Sequence, residues 1–324
     1  VDTRSRVSDT LVLSILHLPI ALWLAVGFAY VRGRWFDDGG RTNPPTGAEA
    51  PVSSGTPGDL RQVDVDGVPA CWVPTTGRWA VALLFGVGVR DESLVVRGID
   101  HLVEHLTVFG LDHRALEFNA HVSASATAFT VTGAAEEVQA FLDHVGTALD
   151  RLDDARLDLE RRVLRTEARG RPRTLNGLHL DHRFRPNGLA LLESEELGLR
   201  WLGAGDLQSW IGTWFTAGNA ALAVVGPDPR GLRLHLPPGP RPTRAPAPPE
   251  LIDQPTWSAV PGSVVAISTT APRSARWTVT TELLTQVAEH RLRQVDGRSY
   301  SVVDLSLPVD GARIYTYVGA DCLA

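Results

Sequence analysis

The sequence has no methionine, and the 31 basic residues among its 324 are all arginine. Together these biases are those of a GC-rich coding sequence. Cysteine is also scarce: Cys71 and Cys322 stand alone and far apart. Their separation excludes a disulfide framework or a cysteine-built zinc site, and both read as small hydrophobes. There is no basic excess, because the formal net charge is -6. The arginines are scattered rather than striped along one face, which excludes a nucleic-acid binder. No short tandem repeat is present. What the chain does have is a hydrophobic fraction of 44%, enough for a substantial core.

One long apolar run stands near the amino terminus, "LVLSILHLPIALWLAVGFAYV" at residues 11–31. It is long enough to span a bilayer, exceeds the usual core of a signal peptide, and is followed by no clear A-x-A cleavage site. A polar, glycine- and proline-rich stretch at 37–59 comes next and detaches the run from any core. The expectation is a single-pass membrane anchor over 1–36. Its orientation stays open, since Arg4 and Arg6 before the run balance Arg32 and Arg34 after it.

From residue 60 the pattern changes. "RQVDVDGVPACWV" predicts a hairpin turning at Asp66 and Gly67, and "RWAVALLFGVGV" a buried strand. "FNAHVSASATAFTVTG" reads as one further strand, "AEEVQAFLDHVGTALDRL" and "DDARLDLERRVLRTEARG" as helices, "AGDLQSWIGTWF" as a helix and "NAALAVVG" as a strand. Between Pro227 and Pro249 there are nine prolines. That composition predicts a semi-rigid linker over 229–250, separating a first domain (60–228) from a shorter second one (251–324). The second reads as strand, helix, strand, strand, with an edge that would want a partner. Alternating strand and helix segments point to an α+β fold. The pair His179 and His182 in "LHLDHRF" has no third ligand spaced to join it and reads as a solvated turn.

The chemistry concentrates in "GIDHLVEHLTVFG". On a helix, His101, Glu104 and His105 share one face, because positions three and four apart are neighbours. Two imidazoles at that spacing can hold one zinc ion, with the glutamate between them as general base. A third ligand is needed, and a carboxylate is the usual complement. Glu160 and Glu167 fall on the apolar stripe formed with Leu157, Val163 and Leu164, where a carboxylate must be compensated. A metal would compensate Glu167; pairing with neighbouring arginines at a wet surface is the alternative.

With those residues in place the chain resembles the inverzincin metallopeptidases, the pitrilysin and insulinase group that includes the mitochondrial processing peptidase. "GVRDESLVVRGIDHLVEHLTVFG" is similar to the family's strand, acidic turn, glycine and zinc helix. "NAHVSASATAF" is similar to its asparagine-led strand, with Val122 and Phe129 where Thr and Tyr are commoner, and "GNAALAVVG" to the strand that closes its first domain. The resemblance implies two domains, each a mixed or antiparallel sheet covered by helices and facing each other across a peptide-sized chamber. It implies zinc on His101, His105 and Glu167, Glu104 as the base, and Glu160 as the carboxylate that supports the ligand and belongs with the catalytic group. Asn119 would bind substrate, and Arg293 and Tyr300 in "LRQVDGRSYSV" would hold the substrate backbone. Short or unfolded peptides are the implied substrates. The chain departs from the family in a shortened stretch between His105 and Glu167 and in a clipped second domain. A homo- or heterodimer partner would complete the chamber; a non-catalytic or partner-dependent subunit of a heteromeric processing peptidase and a membrane-tethered peptide-binding scaffold are the rival readings.

Overall fold

The computed structural model describes residues 60–169, 175–246, 250–252, 254–255, 264–272, 274–297, 302–309 and 312–320. The expected anchor and the linker at 37–59 lie outside them, as do Cys322 and Tyr300. Among the described residues no helix is long and apolar enough to cross a membrane.

Strands β1 (Arg61–Val65) and β2 (Val68–Pro74) form the expected hairpin. Its two-residue turn places Asp66 at φ +54° and Gly67 at φ +82°, the left-handed pair that matches the twist of the flanking strands. Strand β3 (Trp79–Phe85) is buried along its whole length, as a strand covered on both faces must be. The helix α1 (Ile99–Val108) follows.

Two strands, β4 (Glu117–Val122) and β5 (Thr127–Gly133), stand where the residue pattern suggests one. The reversal falls at Ser123–Ala126, where the Ser123 hydroxyl donates to the Ala126 carbonyl at 2.8 Å. A serine turn of this kind lacks the glycine or proline that marks most reversals. Helices α2 (Ala135–Asp150), α3 (Leu157–Arg169), α4 (Leu175–Phe184) and α5 (Ala204–Trp214) lead to strand β6 (Ala220–Gly226).

The six strands are ordered β1-β2-β6-β3-β5-β4, with β2 and β6 parallel and every other pair antiparallel. Strand β4 is therefore an edge. One face of the sheet carries the main core: Val81, Leu83 and Phe85 cluster with Leu102, Val103, Phe141 and Leu142 from the helices and with Phe215, just past the end of α5.

The proline-rich stretch does not hang between domains. Leu232 and Leu234 enter the main core and Leu236 packs against it, a period of two hidden within a linker-like composition. The stretch is held at several points between Arg233 and Arg244. Gln139 exchanges two hydrogen bonds with the Arg233 backbone, Pro237 and Gly239 accept from Ala217 and Gly218, and Arg244 reaches Asp91 at 2.7 Å. Burial pushes the Asp91 carboxyl above its ordinary value, and the Arg244 guanidinium pulls back against that rise.

Beyond it, strand β7 (Val264–Pro272), helix α6 (Ala275–His290) and strands β8 (Val302–Val309) and β9 (Ala312–Ala320) make a sheet of order β7-β9-β8. Chain order and pairing repeat those of β3, α1, β4 and β5, with little likeness in sequence. Helix α6 is turned inside out by the usual pattern: Thr281 is buried, whereas Val279, Leu283, Leu284 and Val287 are all more than half exposed. The helix α4 ties this second unit to the first. Its Arg183 donates to the hydroxyl and carbonyl of Ser268 and to Glu250 at 2.7 Å, and Leu180 and Phe184 pack with Ile314. "LHLDHRF" is thus helix rather than solvated turn. His179 is half-buried there, with its imidazole held below its usual range by burial and by Arg183.

Candidate metal centre

Helix α1 starts at Gly98, whose φ of +99° lies in the left-handed region. Space demands glycine here as well, since an added Cβ would sit 2.9 Å from the Cβ of Glu196. Gly198 mirrors it: a Cβ there would meet the Arg97 carbonyl oxygen at 2.8 Å. Two glycines a hundred positions apart thus let an irregular turn close onto the start of α1. Replacing Gly98 with alanine is expected to cost about 1–3 kcal/mol, from left-handed strain plus the clash. Chemical denaturation of the metal-free chain measures it, and an unchanged midpoint would contradict this account.

From that start, Ile99, Leu102, Val103 and Leu106 enter the core, leaving His101, Glu104 and His105 on the other face. The two imidazole rings lie 4.9 Å apart, nearly perpendicular at 87°. Each is oriented from behind by a carboxylate: His101 Nδ1 lies 3.0 Å from Glu196 Oε1, and His105 Nδ1 lies 3.2 Å from Glu160 Oε2. Held this way, both Nε2 atoms face outward. Glu167 meets them from α3, its Oε2 3.8 Å from His101 Nε2 and its Oε1 3.9 Å from His105 Nε2.

A donor atom from each of His101, His105 and Glu167 lies within 4.8 Å of the others. Donors about 2.1 Å from a tetrahedral zinc are separated by roughly 3.4 Å, less than these atoms stand apart, so the three side chains would draw together on the ion. Two imidazole nitrogens and one carboxylate, with carboxylates behind the imidazoles, are a donor set that suits zinc. The residues fit the ion.

Glu104 Oε2 stands 3.8 Å and 4.0 Å from the same two Nε2 atoms, on the open side. It lines a cavity of about 590 Å³ together with His101, His105 and Glu167. The opposite wall is the edge strand β4, with Asn119 at its centre, and His113 stacks on Phe118 at 4.0 Å between centroids. His113, Phe118 and His121 carried no signal in the sequence beyond their type. Glu160 is buried behind His105 and is not among the cavity-lining residues, so it supports His105 rather than Glu167. Arg293 is mostly exposed in a π-helical turn at Arg291–Val295, 3.6 Å from Glu289, and does not line this cavity. Tyr300 lies outside the described residues.

Behind the site runs a buried charge chain that sequence reasoning missed. Arg97 joins Glu92 at 3.0 Å and Glu196 at 3.5 Å, with at most 4% of each side chain exposed. Glu92 also accepts from the backbone N–H groups of Gly98 and Asp100, fixing the helix start. Burial raises the Glu92 carboxyl against the pull of Arg97. It holds Asp100 well above the usual carboxylate range, with the nearby Glu92 adding to the effect.

By sequence the chain matches no family model and no curated protein. By structure it is similar to several solved peptidases. A protease from Helicobacter pylori superposes with a TM-score of 0.67 at 16% identity, over 81% of this chain and 74% of that one. The periplasmic protease PqqL from Escherichia coli gives 0.65 at 15% identity, over 82% and 36%. A peptidase M16 inactive domain from Pseudomonas fluorescens gives 0.60 at 13% identity, over 81% and 74%. Identities this low speak to the fold alone. The chain has the fold of the M16 peptidases, the pitrilysin and insulinase type that its sequence resembles.

Proposed function

We propose that this chain is a zinc-dependent peptidase acting on short or unfolded peptides. The observation that supports it best is the convergence of His101, His105 and Glu167 from two helices, with Glu104 on the open side. A bound zinc ion would supply Lewis acidity toward a water and a scissile carbonyl. Glu104 would take the proton of the attacking water as its oxygen bonds to the carbonyl carbon. The same carboxyl would deliver that proton to the departing amine as the carbon–nitrogen bond breaks. Strand β4 is an edge among the described strands and runs along the cavity, so an extended peptide can add to it as a further strand. Asn119 would meet such a peptide, and Phe118, Ala120 and Val122 give the same wall apolar character.

The test is metal content and turnover of the purified full chain. About one zinc per chain and hydrolysis of a peptide library that a chelator abolishes are expected. A chain that takes up no zinc at micromolar concentration would sink the proposal. A second reading, a subunit active only beside a partner, is favoured by the exposed apolar face of α6. It predicts full zinc loading with hydrolysis absent from the isolated chain.

A further inference from the structure

Of the three glutamates in "ESEE", Glu195 is exposed and Glu193 half-buried, but Glu196 is turned inward with 6% of its surface accessible. Burying a carboxylate is costly unless it is compensated, so a fold that turns one inward must return something for it. Its Oε1 stands 3.0 Å from His101 Nδ1 and 3.5 Å from the Arg97 guanidinium. The position is built rather than incidental. Gly98 and Gly198 remove the two Cβ atoms that would keep the turn away, and Arg97 is fixed from its other side by Glu92 at 3.0 Å and by the Leu191 carbonyl at 2.8 Å.

We propose that Glu196 is a positioning residue that takes the Nδ1–H of His101 and so aims its Nε2 at the ligand position before any metal arrives. An imidazole can ligate through Nε2 only if the proton resides on Nδ1, and an acceptor at Nδ1 enforces that choice. Arg97, 3.5 Å from Glu196, offsets the charge of the buried carboxylate. The outcome is an asymmetric pair. His105 is oriented by Glu160 from the helix that also carries Glu167, whereas His101 is oriented from a separate turn 95 positions away in sequence.

Two measurements on the full chain test this, and only the second rests on the zinc reading. In the metal-free protein, nitrogen-15 spectra of the imidazoles should show His101 as Nδ1–H. In Glu196→Ala it should move toward Nε2–H while His105 keeps its state, and Glu160→Ala should do the reverse. Zinc affinity from chelator competition should then fall about 10- to 100-fold in Glu196→Ala. Glu196→Gln retains an acceptor for Nδ1, so it should keep the tautomer and lose less affinity. It also serves if the alanine variant does not fold, because an Nε2–H tautomer in that variant would count against the assignment. An unchanged His101 tautomer in Glu196→Ala, or equal zinc affinity in both variants and wild type, overturns the proposal. If wild type itself binds no zinc, the peptidase reading falls while the tautomer result still decides the role of Glu196.

Discussion

Glu104→Gln is expected to lower kcat/KM for peptide hydrolysis by about 10³-fold, near the middle of the range for loss of a positioned general base. That corresponds to about 4 kcal/mol of barrier. Glutamine preserves the volume of a side chain that is 7% exposed and packed on α1, so the helix should survive the change. What disappears is a proton acceptor on the open side of the two imidazoles. Because Glu104 is not one of the three converging donors, zinc content should stay at the wild-type level. Steady-state kinetics with a quenched peptide, paired with metal analysis, checks both halves. Equal turnover by the variant would remove Glu104 from the mechanism.

Arg97→Leu is expected to destabilise the fold by about 3–5 kcal/mol, the cost of breaking a buried ion pair from one side. Two carboxylates, Glu92 and Glu196, lose their shared cation at once, and both are nearly buried. The deficit should depend on pH with a definite sign. The Glu92 carboxyl is already raised above its ordinary 4.5 by burial, and removing Arg97 raises it further. The folded state then binds more protons than the unfolded chain, so stability is gained as pH falls and lost as it rises through that window. Urea denaturation at pH 7 and pH 5 should show the variant closer to wild type at the lower pH. A gap that stays constant or widens toward pH 5 would contradict the buried pairing.

The local parts of this site were legible because they obey short periods. His101, Glu104 and His105 share a face by their spacing, and Glu160 stands buried on an apolar stripe where a carboxylate needs a reason, whereas Glu167, read from the same stripe, is exposed, with 42% of its side chain accessible. The hairpin at Asp66 and Gly67 was legible for the same cause, since its turn chemistry is confined to two residues. Glu196 was not. It reaches His101 through irregular backbone, and the only sequence trace of that contact is a pair of glycines with no visible relation to each other. The leucines at 232, 234 and 236 were concealed by surrounding prolines, whose composition speaks of a linker while the alternation speaks of a core. In α6 the helical period was plain, yet a period cannot tell which face the tertiary structure will cover.

The placement of β6 also has a consequence for the order of assembly. It lies between β2 and β3, two strands adjacent in sequence, and its pairing with β2 joins residues about 150 positions apart. The sheet cannot close until residue 226 has left the ribosome, and its central strand must then slot between two already formed neighbours. Contacts of such long range make for slow folding, on the scale of milliseconds to seconds or longer. His101, His105, Glu167 and Glu196 all lie inside the loop that this insertion closes. A nascent chain halted before β6 would expose the donors without the frame that aims them, which ties the assembly of the candidate metal centre to the last strand of its sheet.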